Sequence, residues 1–186
     1  MRFPIAAISL LAIAAATGAS ADGAKIVNQA ITQDEVIAAQ KGWCNALVDI
    51  SKANDAGGPA AAKALAEKVI DAAYGYQMGA VLFKPTLTVA PQTFRPTRAG
   101  ALAYFVGGDK AFPNDTGFAL KGWTNCEVAN SAIFIAGDSA TTMGNVTLTN
   151  KENKKTTVDK TWSFVKDDAG ALRIVVHHSS LPYSGS

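Results

Sequence analysis

The chain predicts an α+β fold, with helices first and an antiparallel sheet after them, the helices packed on one face of a curved sheet. Three observations carry this. Apolar residues in the first half recur at helical spacing, whereas the second half reads as long β-rich segments joined by short turns. No internal repeat, linker or block of like charge divides the chain, so residues 22–186 are expected to form one domain.

Each element has its own signal. Arg2 and the apolar run from Ile5 to Ala16, followed by Ala19-Ser20-Ala21 before Asp22, have the form of a secretory signal peptide, residues 1–21. The run is shorter than the ~20 residues a membrane span needs. Thr32-Gln33-Asp34-Glu35 is a capping box, and Val36, Trp43, Leu47 and Ile50 then mark one helical stripe. Asn54 to Gly58 ends this helix, and Pro59 suits the first turn of the next, which runs to about Tyr76. Ala80 to Phe83 is strand-like, and Arg98 to Val106 is a short helix stopped at Gly107-Gly108. Trp123 to Ile135, Ser139 to Thr149, Thr156 to Val165 and Leu172 to Ser180 read as strands of a meander. Asp167-Asp168-Ala169-Gly170 is the last hairpin turn.

Composition excludes several classes of function. The formal net charge is +2, and the one lysine cluster, Lys151, Lys154 and Lys155, falls in a turn, so there is no footprint for nucleic acid. After cleavage of the leader, nothing remains to hold the chain in a membrane. Phosphate-binding loops and a G-x-S-x-G nucleophile elbow are absent. Cys44 and Cys126 are the two cysteines. Export permits a disulfide between them, while their apolar surroundings equally suit two buried thiols.

Both histidines of the chain fall together in His177-His178-Ser179-Ser180, at the end of an apolar strand that stops at Leu181-Pro182. Alternation puts His177 and Ser179 on one face and His178 and Ser180 on the other. An imidazole with a reference pKa of ~6.5 suits a base or proton shuttle, and hydroxyls can position a water. A catalytic zinc site normally needs three protein ligands. Two strand neighbours that point apart do not supply them, so no metal cofactor is expected, with zinc or manganese as the alternatives.

The segment His177-His178-Ser179-Ser180-Leu181-Pro182 resembles the H-H-S-S-x-P signature of the iota-class carbonic anhydrases. Tyr74-Gly75-Tyr76, Val81 to Thr86, Phe94-Arg95-Pro96-Thr97, Ala101 to Gly108, Gly117 to Leu120, Met143-Gly144-Asn145 and Asp159-Lys160-Thr161-Trp162 are similar to that family as well. The resemblance implies a cone-shaped nuclear-transport-factor-2-like fold, similar to the association domain of calmodulin-dependent kinase II. It implies a homodimer formed through the sheet, and reversible hydration of CO2 to bicarbonate. The family pocket is built from a threonine, a tyrosine, a histidine and a serine, which Thr86, Tyr104, His177 and Ser179 match here. His178 and Ser180 are the alternative if the strand register differs by one.

On this reading Thr86, Tyr104 and Ser179 fix a water, His177 takes the proton, and Phe83, Phe105 or Trp123 walls the CO2. Two rivals use the same fold. One is a non-catalytic ligand-binding or dimerisation module. The other is an isomerase or cyclase with a buried carboxylate base, for which Asp71, Asp109 and Asp159 are the candidates. The expected location is outside the cytoplasm, periplasmic or secreted.

Overall fold

A computed structural model describes residues 29–185; the signal-peptide expectation falls on residues that lie outside it. Helix α1 (Gln33–Ala73) starts at the anticipated capping box: Glu35 N–H donates to the Thr32 hydroxyl (3.3 Å), and the Thr32 N–H donates to the Glu35 carboxylate (2.8 Å). The two helices expected here are found, joined end to end across a kink within this span. The break is confined to Gly58, whose φ of 72° is the left-handed region open to glycine. Pro59 then occupies the start of the second segment, where its missing N–H costs least.

The helix stops at Ala73, short of the expected Tyr76. Tyr74 is extended (φ −106°, ψ 153°) and bridges Ile174, while Gly75 N–H donates to the Ile174 carbonyl at 2.9 Å. The competing backbone partner on the sheet ends the helix, and it turns the Tyr74 ring into the core.

The remaining elements are β1 (Leu82–Lys84), α2 (Arg98–Val106), a 3₁₀ turn (Phe118–Leu120), β2 (Trp123–Ala136), β3 (Ser139–Asn150), β4 (Lys155–Lys166) and β5 (Leu172–Ser180). The sheet order is β1-β5-β4-β3-β2. β2 to β5 form the anticipated antiparallel meander, but β1 pairs with β5 in parallel, so the sheet is mixed. Irregularities at Trp123/Asn125, Asn130/Ala132 and Ser163/Phe164 bend it around α1 and α2.

One of these irregularities decides which histidine faces inward. Ser163 pairs with Val176 and Phe164 with Ile174, which leaves Val175 as an extra residue on β5. Plain alternation from the buried Ile174 would carry Val176 and His178 inward. The extra residue resets the phase, so His177 and Ser179 are buried (2% and 3% exposed) and His178 is exposed.

The Cys44–Cys126 disulfide ties α1 to β2, with Cα atoms 5.2 Å apart. The loops beyond β1 and α2 are held by Arg95, which is buried. Its guanidinium grips Asp115 through two bonds of 2.9 and 2.7 Å and donates to the Gln92 and Phe94 carbonyls. Its N–H donates to the Phe83 carbonyl, so the loop that carries Thr86 is anchored to β1.

Candidate active site

Three hydroxyl groups converge from three elements. Thr86 follows β1, Tyr104 lies on α2, and Ser179 is near the end of β5. The Thr86 and Ser179 hydroxyls are 2.6 Å apart. The buried Tyr104 phenol lies beside Thr86 and Leu87. Burial pushes its pKa up and these contacts oppose the push, so the phenol stays protonated and able to donate. Lys84 steadies this end of β5 by donating to the Ser179 carbonyl at 3.2 Å.

Behind the hydroxyls lies a cluster of nitrogens. His177 Nδ1 meets the Tyr74 phenol oxygen at 2.8 Å, and the Trp43 indole N–H donates to that same oxygen at 2.9 Å. His177 Nε2 is hydrogen-bonded to Lys160 Nζ. The Phe83 ring stacks on the imidazole at 4.2 Å and meets Tyr104 edge-on at 5.6 Å, so it is the shared wall of both clusters. Lys160 Nζ is 4.4 Å from the Trp43 ring centre and 5.0 Å from that of Trp162.

Burial holds both bases well below their ordinary pKa values. For His177, desolvation comes first, followed by repulsion from Lys160 and then His178; for Lys160, desolvation is the cause. His178 is lowered too, by burial and then by Lys84 and Lys160, against the pull of Asp159.

The four residues singled out in the sequence are therefore close but not equivalent. Thr86, Tyr104 and Ser179 form one cluster. Both His177 ring nitrogens, instead of facing those hydroxyls, are engaged by Tyr74 and Lys160. Neither Tyr74 nor Lys160 was assigned a role from the sequence. Lys160 does carry a signal, since it occupies an inward position in the alternation Val158, Lys160, Trp162, Phe164 of β4, where a lysine is out of place. Of the proposed CO2 walls, Phe83 is at the site. Trp123 instead donates its indole N–H to the Phe118 carbonyl.

The carboxylates proposed for a rival chemistry are elsewhere. Asp71 pairs with Arg98 on the surface, Asp109 accepts from the Ala111 N–H in a turn, and the exposed Asp159 accepts from Asn145. The buried Asp115 is spent on Arg95. Among the described residues, no three His, Cys, Asp or Glu side chains lie together as a metal ligand set.

The helices laid on a curved sheet, with polar groups gathered at its inner face, define a nuclear-transport-factor-2-like cone. A solved structure described as a calcium/calmodulin dependent protein kinase II association domain from Xanthomonas campestris shares it, at TM-score 0.51 and 23% identity over 86% of this chain and 97% of that one. The profile of the family described as metal-independent carbonic anhydrase matches residues 34–181. A metal-independent carbonic anhydrase from Nostoc sp. (strain PCC 7120 / SAG 25.82 / UTEX 2576) is 63% identical over 188 residues, 96% of this chain and 92% of that protein. The crystal structure of an iota-carbonic anhydrase from a cyanobacterium, complexed with bicarbonate, superposes with a TM-score of 0.85 at 68% identity, covering 87% of this chain and 98% of that one. The chain belongs to the metal-independent carbonic anhydrase family.

Proposed function

We propose that the protein catalyses the reversible hydration of CO2 to bicarbonate without a metal, at the Thr86–Tyr104–Ser179 cluster backed by His177. The observation that carries this is the convergence of three hydroxyls in front of a buried imidazole, in a chain 68% identical to a carbonic anhydrase solved with bicarbonate. CO2 is small and apolar, and it rests against Phe83. Thr86 and Ser179 hold the water, each hydroxyl able to donate and accept at once. The Tyr104 phenol, kept protonated, donates to the oxygen on which charge develops. The water oxygen bonds to the carbon, a C=O electron pair moves to oxygen, and the water proton leaves toward the nitrogens behind. Positioning turns a bimolecular encounter into a near-unimolecular one, and a general base typically adds ~10²–10⁴ in rate.

Stopped-flow CO2 hydration by the full chain, before and after exhaustive chelation, tests the reading. Activity that survives the chelator is expected. Loss on chelation, with recovery on adding zinc or manganese, would overturn the metal-free mechanism.

Three further readings belong to the same proposal. Residues 1–21 act as a cleaved leader, and the chain works outside the cytoplasm as one domain spanning 22–186; the Cys44–Cys126 disulfide supports this, since such bonds persist in oxidising compartments. The protein is a homodimer joined through its sheet, a reading supported by Phe134 and Met143, which are 71% and 61% exposed on neighbouring strands β2 and β3. CO2 and bicarbonate are its small-molecule partners.

A further inference from the structure

Hydrogen-bond accounting around His177 fixes where its proton sits. An indole can only donate, so Trp43 takes one lone pair of the Tyr74 oxygen. Tyr74 is fully buried, and its own proton needs an acceptor. His177 Nδ1, 2.8 Å away, is the acceptor among its partners. A neutral imidazole that accepts at Nδ1 must carry its proton on Nε2, and Nε2 faces Lys160 Nζ. A donor facing this nitrogen requires a lone pair there, so the lysine is a neutral amine. One polarised chain, Trp43 to Tyr74 to His177 to Lys160, thus holds Lys160 uncharged.

The surroundings agree. The titratable side chain in contact with Lys160 is His177 on β5, behind which lie Tyr74 at the end of α1 and, across Phe83, Tyr104 on α2; its partner on β3 is Gly144, and the Trp43 and Trp162 rings cover the amine. Lys84 on β1, His178 and Asp159 are felt on the outer side of β5. Among the described residues no carboxylate pairs with Lys160, and desolvation alone lowers its pKa. Lys160 is the cross-strand partner of Ser179, on the same inward face. Its backbone therefore stands beside Ser179, while its Nζ reaches the imidazole between the Trp43 and Trp162 rings.

We propose that the Lys160 amine is the group that takes up the proton released when bicarbonate forms, so that anion and ammonium arise together in the buried site. This rests on the CO2-hydration reading above. The balance is simple. The water O–H bond breaks as the O–C bond forms, and the freed proton binds the Nζ lone pair. The His177 N–H loses its acceptor in that step, and the new negative charge on bicarbonate compensates for it. When bicarbonate leaves, the His177 tautomer again favours the neutral amine, and the proton departs as well. His177, Tyr74 and Trp43 act as positioning residues for this amine.

The test is bicarbonate binding as a function of pH, followed by carbon-13 NMR line broadening on the full chain and corrected for carbonate. Uptake of one proton on binding makes affinity fall about tenfold per unit rise in pH wherever the free amine is neutral. Lys160→Met, a similar shape without a basic group, is expected to fold, to bind more weakly and to show no such slope. Tyr74→Phe removes the proton that pins the tautomer, lets the free amine charge, and should move the onset of the slope to higher pH. A slope shared by wild type and Lys160→Met, or a Tyr74→Phe profile matching wild type, overturns the proposal while leaving CO2 hydration standing. Absence of CO2 hydration in the wild type would instead remove the reading beneath it.

Discussion

The two polar clusters on the inner face of the cone are built on opposite plans. Thr86, Tyr104 and Ser179 are neutral hydroxyl groups, with Thr86 and Ser179 hydrogen-bonded to each other, and they include the half-buried Thr86. Lys160, His177, Tyr74 and Trp43 are fully enclosed, and they hold the two bases whose proton affinity burial reduces. The first cluster can bind a neutral gas, a water and an anion without a fixed charge. The second can accept a proton only at a cost, and an adjacent anion offsets that cost. On the proposed mechanism the contrast is a division of labour, in which one cluster holds the atoms that react and the other sets when a proton can stay. A metal centre does both jobs at one atom by lowering the pKa of its bound water to ~7.

The comparison can be broken from either side. The largest effect is expected from His177→Ala, which strips Lys160 and Tyr74 of their partner. Stopped-flow CO2 hydration should fall by about 10²–10⁴, the range for general-base work, because the amine that takes the proton loses the residue that positions it. Thr86→Val keeps the shape but deletes the hub of the hydroxyl cluster. A loss of about 10²–10³ is expected, as when one stabilising donor is removed, with an unchanged melting temperature. Replacing both Cys44 and Cys126 by serine releases α1, the helix that carries Trp43, from β2 across a separation of 82 residues. Urea denaturation should register a loss of about 2–4 kcal/mol.

The smallest effect concerns pH and stability. The folded-state pKa of Lys160 is depressed, so below the unfolded value of ~10.4 the unfolded chain binds a proton that the folded chain does not. Stability therefore rises with pH and declines as pH falls from ~10.4 toward the folded value. His177 adds the same trend below ~6.5. The Lys160 part of this trend comes from desolvation of the amine. Lys160→Met should remove it, leaving a protein more stable near neutral pH and with a flatter profile in thermal melts across pH.

Much of the fold was legible because its signals are local. The capping box at Thr32, the Gly58-Pro59 break and the alternation of β4 each act within a few residues. What escaped depends on distant partners. The end of α1 is set at Tyr74 by Ile174, a hundred residues on, and β1 pairs in parallel because it docks on the last strand. The site divides along the same line. Thr86, Tyr104 and Ser179 were marked by motifs, and the fold gathers them. The inward face of His177 is set by the extra residue Val175, whose neighbours Val176 and Ile174 look alike in sequence. Lys160 falls within the segment Asp159-Lys160-Thr161-Trp162, where the sequence alone points to no role for it, since a lysine in a strand usually faces water. The direction of the Trp43–Tyr74–His177–Lys160 chain follows only once four residues from three elements are seen together.

The most direct test of the division of labour is the pH–rate profile of CO2 hydration for the wild type, Thr86→Val and Tyr74→Phe. The account expects Thr86→Val to lower the rate evenly, with the midpoint unmoved, because it touches only the cluster that holds reactants. Tyr74→Phe should shift the midpoint to higher pH, because it unpins the His177 tautomer and lets Lys160 charge more easily. A midpoint that moves in Thr86→Val, or one that stays fixed in Tyr74→Phe, would contradict it.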